Sequence, residues 1–240
     1  MKNQYAPKST VDSIVESLIS KLSENGILSP DSCFDKTNFI NFKKQMPGKV
    51  ILPGTTITPI MERVLFSIAS SSSIKKIVVL GSYYGYALLW LTGGKNRKEN
   101  SSVYGFDINK ESCSQARINM DNLNLDNVQI IEEDAFNGIN LFEDETIDLL
   151  FIDVEKDGSK SNYSPLLEQW YGKLKNGALV LAHDPLVEKF TEDFKEYHKI
   201  VNDKSRFESS LTLPIDSCGL DISIKKGRIE SGKYNESKVY

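Results

Sequence analysis

Acidic side chains and one histidine stand at or near the ends of apolar runs at four places in the chain. Asp107 and Asp153 each directly follow such a run, the pair His183 and Asp184 follows another, and Asp134 stands three positions after a fourth. In an open sheet of parallel strands, ligands bind at the carboxyl ends of the strands, so we expect these side chains to line one site. Carboxylates accept hydrogen bonds from hydroxyl and amino groups, and a histidine can take up a proton near neutral pH. The pattern therefore predicts a ligand site with acid–base capacity.

Residues 74–91, with the sequence IKKIVVLGSYYGYALLWL, have the pattern of a buried strand, a glycine-containing turn and the start of a helix. Gly81 and Gly85 bracket the turn, where a missing Cβ lets the backbone turn sharply and approach a ligand. This combination is typical of a nucleotide-cofactor site, although the spacing is not the GxGxxG that favours a dinucleotide. Asp107 follows Gly85 by about 22 residues, where a carboxylate can accept both hydroxyls of a ribose.

The elements that must position these residues alternate between predicted strands and helices. Strands are predicted at 77–80, 103–107, 128–131, 147–152, 178–184, 209–215 and 219–226, and helices at 9–25, 35–46, 59–69, 86–91, 110–123, 163–175 and about 186–200. The alternation predicts an α/β fold with a doubly wound, mostly parallel seven-stranded sheet. Its last two strands are close enough in sequence to form an antiparallel edge hairpin. We expect three regions: an N-terminal helical extension at 1–54, acting as a lid or in dimerisation, the sheet domain at 55–226 and a polar tail at 227–240.

The composition narrows the class of protein. The chain has 240 residues and a net charge of −4, which gives no general attraction to nucleic acid or to an anionic membrane. No apolar run is long enough to span a bilayer, and the N-terminus lacks the apolar core of a secretory signal. The three cysteines are scattered, as expected of a protein in the reducing cytoplasm. We therefore expect a cytoplasmic protein with a small-molecule partner.

Five segments in order resemble one enzyme family. They are VVLGSYYGYALLWL, GFDINKESCSQAR, EEDAF, DLLFIDVEK and LKNGALVLAHDPL. Together they resemble the class I S-adenosylmethionine-dependent methyltransferases, and most of all the catechol and caffeoyl-CoA O-methyltransferase group. The segment LTLPIDSCGLDISIKK is similar to the closing hairpin of that group. The resemblance covers residues 55–226 and implies a Rossmann-like fold.

The resemblance also implies which residues surround the cofactor, S-adenosylmethionine. Gly81, Ser82, Tyr83 and Gly85 would surround its methionine part, Asp107 would bind the ribose hydroxyls, Ile108, Asp134 and Ala135 would border the adenine, and Asp153 would complete the cofactor-binding set. The sulfonium of the cofactor is a cation, to which Tyr83, Tyr84 or Tyr86 could offer an aromatic face.

The chain departs from the family at three places. Val79 stands where the family usually has an acid, so one cofactor contact is lost or replaced. His183-Asp184 replaces the Asp-Asn pair that, with Asp153, would bind a divalent metal. Either these three residues still bind a metal, or His183 has become a general base; no metal is predicted. The family's lysine corresponds to Lys156 or Lys160: the D-x-x-K spacing from Asp153 favours Lys156, which we prefer, whereas the family's lysine-to-tyrosine spacing to Tyr163 fits Lys160. The expected catalytic set is His183, Lys156 and Asp153.

These observations predict an enzyme that transfers a methyl group in line to a small-molecule acceptor, by default a hydroxyl. Three alternatives stay open: use of the cofactor's aminocarboxypropyl arm in a cyclisation that releases methylthioadenosine, a non-catalytic cofactor-binding scaffold, and a dinucleotide-dependent oxidoreductase. No nucleic-acid or membrane partner is expected. The first amphipathic helix is consistent with a homodimer.

Overall fold

A computed structural model describes residues 8–54, 57–95 and 101–227. Seven strands form one sheet in the order β3-β2-β1-β4-β5-β7-β6. They are β1 (Lys76–Leu80), β2 (Ser102–Asp107), β3 (Val128–Glu132), β4 (Ile147–Ile152), β5 (Leu174–His183), β6 (Phe207–Leu213) and β7 (Leu220–Lys225). The first five strands are parallel, and β7 is antiparallel to both of its neighbours. The predicted fold class, including the antiparallel C-terminal hairpin, is confirmed.

The centre of the sheet is formed by the most apolar strands. In β1 and β4, Val78 pairs with Leu150 and Leu80 pairs with Ile152, and all four side chains are inaccessible to solvent. A parallel strand covered on both faces needs apolar residues at successive positions, because neither face meets water. The unbroken apolar runs in the sequence follow from this position.

Helices cover both faces of the sheet. They are α1 (Lys8–Glu24), α2 (Lys36–Lys43), α3 (Pro59–Ala69), α4 (Tyr86–Gly93), α5 (Lys110–Asn122), α6 (Tyr163–Trp170) and α7 (Thr191–Val201). Apolar residues of α1 to α5 belong to the core on one face, and those of α6 and α7 to the core on the other. Thr58 caps α3 by accepting a hydrogen bond from the backbone N–H of Met61, and Pro59 occupies the first helical position.

Two predicted helix boundaries in the second half of the chain are wrong. The helix expected at 163–175 ends at Trp170, because Leu174 is fully buried and pairs with Ile147 as the first residue of β5. The helix expected from about 186 begins at Thr191. There the backbone N–H of Leu186 donates to the carbonyl of Cys218 instead of starting a helix. Long-range pairing decides both boundaries.

The N-terminal helices pack against the α3 and α4 side of the sheet. The apolar face of α1 is buried in that core, and Phe39 of α2 stacks on Trp90 of α4 with ring centroids 5.0 Å apart. Asp12 of α1 accepts a hydrogen bond from Nε of Arg63 in α3 at 2.6 Å. Whether this extension also acts as a lid or in dimerisation stays a prediction. Of the predicted polar tail, residues 228–240 lie outside the described residues.

Among the residues that the structure describes, no helix combines the length and the apolar character that a membrane crossing requires.

Candidate active site

A cavity of about 860 Å³ opens at the carboxyl ends of β1, β2, β4 and β5. It lies where the strand order reverses, since β1 has β2 on one side and β4 on the other. Nearly all of the predicted site residues line it: Gly81, Ser82, Tyr83, Asp107, Ile108, Asp134, Ala135, Asp153, Lys156 and His183. Gly85 is not among the lining residues. The structure thus gathers at one edge residues that are up to a hundred positions apart in sequence.

The two glycines of the turn have different structural roles. Gly81 has φ +86°, and a Cβ there would lie 2.3 Å from the backbone oxygen of Asp153. Gly85 has φ +82° and precedes α4, and a Cβ on it would meet Met120 on the side of α5. Both positions are in the left-handed region that favours glycine. Gly81 therefore lets β1 and β4 end side by side at the cavity, while Gly85 shapes the turn from behind it.

The start of α4 is open toward the cavity. Gly85 supplies no side-chain cap, and Tyr86 and Ala87 line the cavity. The Ser82 hydroxyl is buried and has no hydrogen-bond partner among the described residues. An uncapped helix N-terminus attracts a negative group, and an unpaired buried hydroxyl calls for a polar one. This end of the cavity is suited to the carboxylate and amino groups of an amino acid.

Asp107 is held in a fixed orientation at the end of β2. Its Oδ2 accepts a hydrogen bond from the backbone N–H of Tyr83, and its Oδ1 accepts one from that of Asn109, both at 2.8 Å. A carboxylate has about four acceptor sites, so each oxygen can accept another donor. Two neighbouring hydroxyls of a ribose are such donors. Ile108, next in the chain, is 68% exposed and offers an apolar surface beside this site.

The loop after β3 forms the next part of the wall. Oδ1 of Asp134 accepts a hydrogen bond from the backbone N–H of Phe136, and the carbonyl of Ala135 accepts one from the Trp170 indole. Glu133, which is not among the predicted site residues, also lines the cavity. Its only signal is its place directly after β3. The loop combines carboxylates with the buried side chain of Ala135, as a purine site with an exocyclic amine requires.

A compact charged cluster lies at the ends of β4 and β5. Nζ of Lys160 is 2.8 Å from Oδ1 of Asp153, 2.8 Å from Oδ2 of Asp184 and 2.8 Å from the hydroxyl of Tyr163. Nδ1 of His183 is 3.2 Å from Oδ2 of Asp153. Asp153 therefore binds the lysine through one oxygen and the histidine through the other.

Burial and charge set the protonation of this cluster. Burial alone would raise the pKa of Asp153, but His183 and Lys160 lower that pKa to about 2. Burial lowers the pKa of His183, but the Asp153 and Asp184 carboxylates raise it by more than burial lowers it. The pKa of His183 therefore lies above its ordinary value. In the same way, the two carboxylates outweigh burial and raise the pKa of Lys160. Burial keeps the pKa of Tyr163 well above its ordinary value, so its hydroxyl stays neutral.

Lys160, and not Lys156, enters this cluster. Asp157 and Gly158 both have positive φ, and the backbones of Lys156 and Ser159 exchange two hydrogen bonds of 3.0 Å around them. These are the features of a tight two-residue hairpin turn. The turn leaves Lys156 exposed at the rim and directs Lys160 inward, where its side chain is 2% exposed. The Asp-Gly dipeptide was the sequence signal for this turn. A catalytic role for Lys156 stays a prediction.

The two acids that the resemblance implies as metal ligands are bridged by the lysine. Any divalent ion on Asp153 and Asp184 would have to displace the ammonium group that contacts both. The residues present therefore do not fit the metal site that the resemblance implies. Within the described residues, one other group has ligand atoms close enough for a metal, all within 4.8 Å: His183, Asp184 and Cys218.

Val79 and Tyr86 flank the glycine turn and have different surroundings. Val79 is fully buried between Gly105 of β2 and Phe151 of β4, so its side chain does not reach the cavity. Tyr86 lines the cavity, but its hydroxyl donates to Oε1 of Glu62 at 2.6 Å. Burial and the charge of Glu62 raise the pKa of Tyr86 far above its ordinary value. This tyrosine is therefore a neutral aromatic wall.

Comparison with known proteins agrees with this geometry. Residues 78–185 match a family model described as a methyltransferase domain. No curated protein matched the chain by sequence.

Solved structures match over most of the chain at low sequence identity. A methyltransferase from Podospora anserina with bound S-adenosylhomocysteine is 16% identical, with a TM-score of 0.65 over 92% of this chain and 97% of that chain. An O-methyltransferase from Bacillus cereus in complex with S-adenosylhomocysteine is 16% identical, with a TM-score of 0.62 over 89% of this chain and 99% of that chain. The O-methyltransferase TomG from Streptomyces achromogenes, in complex with S-adenosylmethionine, is 12% identical, with a TM-score of 0.62 over 90% of this chain and 99% of that chain.

The matched segment runs from the middle of β1 to the residue after Asp184, and so spans the cavity from the glycine turn to the charged cluster. The resemblance seen in the sequence is thereby confirmed. Residues 78–185 match a methyltransferase-domain model, and the chain has the fold of solved methyltransferases that bind S-adenosylhomocysteine.

Proposed function

We propose that this protein is an S-adenosylmethionine-dependent methyltransferase that acts on a hydroxyl group of a small molecule. The observation that carries the proposal is a carboxylate–histidine pair, Asp153 and His183, in the wall of the same cavity as a nucleoside site built on Asp107. The Asp153–His183 pair can activate a hydroxyl, and the site at Asp107 can hold the cofactor. The methyltransferase domain and its O-methyltransferase neighbours support the same assignment.

The cavity fits the cofactor part by part. The open start of α4 and the unpaired hydroxyl of Ser82 suit the methionine carboxylate and amino group. Asp107 suits the ribose diol, and Ile108 with the loop around Asp134 suits the adenine. Val79 is apolar, so the amino group must find its partner elsewhere along the same wall. The volume of about 860 Å³ is near the upper end for small-molecule sites, which gives room for a second substrate.

Bound S-adenosylmethionine supplies a methyl group on a positively charged sulfur. Tyr83, Tyr84 and Tyr86 line the cavity with aromatic rings that are able to stabilise such a cation. Much of the rate of an in-line transfer comes from holding the two reacting atoms in one geometry. The rings of Tyr83 and Tyr84 lie against each other, with centroids 4.6 Å apart, and so form a continuous wall for that purpose.

His183 has the arrangement of a general base. With Asp153 ionised, the carboxylate holds the proton on Nδ1, and Nε2 makes no hydrogen bond to a described residue. We propose that Nε2 takes the proton of the acceptor hydroxyl as the oxygen–carbon bond forms and the carbon–sulfur bond breaks. The products are a methyl ether and S-adenosylhomocysteine. Asp153 then stabilises the imidazolium, as the carboxylate of a catalytic triad does.

The acceptor region is bordered by the turn at 155–160 and by the segment that follows Asp184. Glu155 and Lys156 line the cavity, and Leu186 is 46% exposed beside its edge residue Asp184. These residues offer both charge and apolar surface to a small acceptor.

We propose further that the protein is cytoplasmic, since Cys33, Cys113 and Cys218 are all unpaired. A homodimer is also part of the proposal and is testable by sedimentation.

The proposed cofactor site is tested by calorimetric titration with S-adenosylmethionine and S-adenosylhomocysteine. We expect Asp107→Ala to lower the affinity for both ligands by about 10- to 100-fold, because charge-assisted hydrogen bonds contribute about 1.5–3 kcal/mol to binding. Asp126→Ala is the matched control, since Asp126 is exposed and does not line the cavity. Absence of binding to the unaltered protein, or equal affinity in both variants, would contradict the proposed site.

A further inference from the structure

Lys160 is a buried lysine whose ammonium group lies between two carboxylates. Its Nζ is 2.8 Å from Oδ1 of Asp153 and 2.8 Å from Oδ2 of Asp184, and its side chain is 2% exposed. The hydroxyl of Tyr163 lies 2.8 Å away and accepts the third hydrogen bond. An ammonium group has three protons, so all of its donors are used. This lysine is therefore bound by its own protein and is not free to contact a substrate.

The ammonium occupies the place where a divalent ion would bridge the two carboxylates. A metal site at the ends of β4 and β5 would use these same oxygen atoms, and two cations cannot share them without strong repulsion. Building on the proposed function, we propose that Lys160 is the resident cation of this site, replacing a divalent metal, and that the protein acts without one. The lysine neutralises the two acids and holds them in position.

The loop before α6 is built to hold the lysine there. Oδ2 of Asp193, in the first turn of α7, accepts hydrogen bonds from the backbone N–H of Lys160 at 2.6 Å and from the Ser159 hydroxyl at 3.0 Å. The rings of Tyr163 and Phe190 lie 5.1 and 5.3 Å from the ammonium and give it an aromatic surrounding. Backbone, side chain and charge all fix the same position. An exposed, solvated lysine would show none of these constraints.

This arrangement also assigns the roles of lysine and histidine. Lys160 takes one oxygen of Asp153 and leaves the other to Nδ1 of His183. With its protons engaged and its side chain buried, Lys160 is a positioning residue. Both residues line the cavity, but His183 keeps a ring nitrogen, Nε2, without a hydrogen bond to a described residue, so it is the group placed to accept a proton. A bridging metal on the same acids would instead compete for the histidine nitrogen.

The inference is tested by titrating the chelator-treated, unaltered protein with Mg²⁺, Mn²⁺ and Zn²⁺ in a calorimeter. We expect no saturable binding at millimolar metal, and methyl transfer that a chelator does not change. In Lys160→Ala, the carboxylates of Asp153 and Asp184 lose the cation that neutralises them, so we expect this variant to bind Mn²⁺ there. Its affinity for Mn²⁺ should be at least about tenfold higher than that of the unaltered protein. Lys160→Met, which keeps the aliphatic stem, should show how far folding depends on the ammonium itself.

The matched control is Lys175→Ala. Lys175 pairs with the buried carboxylate of Asp148 at 2.6 Å, but that pair has one acid and no histidine. We expect no metal site there. The proposal is overturned if the unaltered protein binds Mg²⁺ or Mn²⁺ saturably and Asp184→Asn abolishes it, or if it binds Zn²⁺ in a way that Cys218→Ser abolishes. It is also overturned if a folded Lys160→Ala gains no metal.

These titrations need no cofactor, so their outcome is independent of the proposed methyl transfer. If Lys160→Ala does not fold, the titration of the unaltered protein still decides between a resident lysine and a bound metal. A protein that binds no S-adenosylmethionine but also no metal would refute the proposed function and leave the assignment of Lys160 standing.

Discussion

The role of His183 as a base makes a specific prediction about the pH dependence of catalysis. A general base must be neutral to accept a proton, so the rate should rise with pH through the pKa of His183. Since the Asp153 and Asp184 carboxylates outweigh burial and raise that pKa above its ordinary value, the acidic limb of the profile should lie at higher pH than for an unperturbed histidine. Below this limb, His183 is protonated and the rate falls.

Two substitutions separate the base from its partner. His183→Gln removes the base, and we expect kcat to fall by about 10²- to 10⁴-fold, or about 3–5 kcal/mol in activation free energy. Asp153→Asn removes the carboxylate 3.2 Å from Nδ1 and leaves the positive charge of Lys160 nearby, so the limb should move to lower pH. The plateau should also fall, because an amide does not hold the Nδ1 proton in the same way.

The assay is the release of S-adenosylhomocysteine across a pH series, with cofactor affinity measured in parallel. His198→Gln is the control, because His198 pairs with Asp221 and does not line the cavity. It should leave the limb in place. The account of His183 is refuted if His183→Gln keeps the acidic limb, or if Asp153→Asn moves that limb to higher pH.

Three predictions concern stability, measured by urea unfolding. Gly81→Ala should lower the free energy of unfolding by about 1–3 kcal/mol, because alanine is strained at the positive φ of this position. It should also displace Asp153, because the new Cβ would overlap the backbone oxygen of that residue. Asp153→Asn should lower the free energy of unfolding by about 2 kcal/mol at pH 7. The stabilisation by the ionised Asp153 carboxylate is present above the ordinary pKa of 3.8 and disappears as the pH falls toward about 2. Tyr86→Phe should cost about 1–3 kcal/mol by leaving Glu62 short of a donor, whereas Tyr83→Phe should change little, because the Tyr83 hydroxyl makes no hydrogen bond to a described residue. Equal effects of the two tyrosine variants, or an Asp153→Asn protein as stable as the original at pH 7, would contradict these assignments.

The sheet and its ligand edge were predictable from the sequence because local patterns determine them. The apolar run before Gly81 is explained by burial on both faces, and the position of Asp107 follows directly from the end of β2. Thr58 and Pro59 marked a helix start through short-range capping chemistry that operates within one turn. In each case the signal and its cause lie within a few residues.

What the sequence did not disclose depends on contacts between distant segments. Lys160 enters the charged cluster because a tight turn reverses the chain and Asp193, more than thirty residues later, binds its backbone. The spacing from Asp153 favoured Lys156, whereas the spacing to Tyr163 fitted Lys160, which does contact that tyrosine. Counting residues from Asp153 does not account for the reversal of the chain. Leu174 leaves the predicted helix because its partner Ile147 is on another strand. A side chain at Gly85 would meet Met120 of α5, a distant segment, and the predicted place of this glycine at the cofactor stays a prediction.

The central claim is that the methyl group of S-adenosylmethionine is transferred to a hydroxyl. The most direct test incubates the protein with cofactor carrying a deuterated methyl group, with and without a panel of small hydroxylated acceptors, and follows the products by mass spectrometry. We predict S-adenosylhomocysteine and a deuteromethyl ether in equal amounts, only when an acceptor is present. Methylthioadenosine formed without any acceptor would contradict the claim and show that the aminocarboxypropyl arm reacts instead.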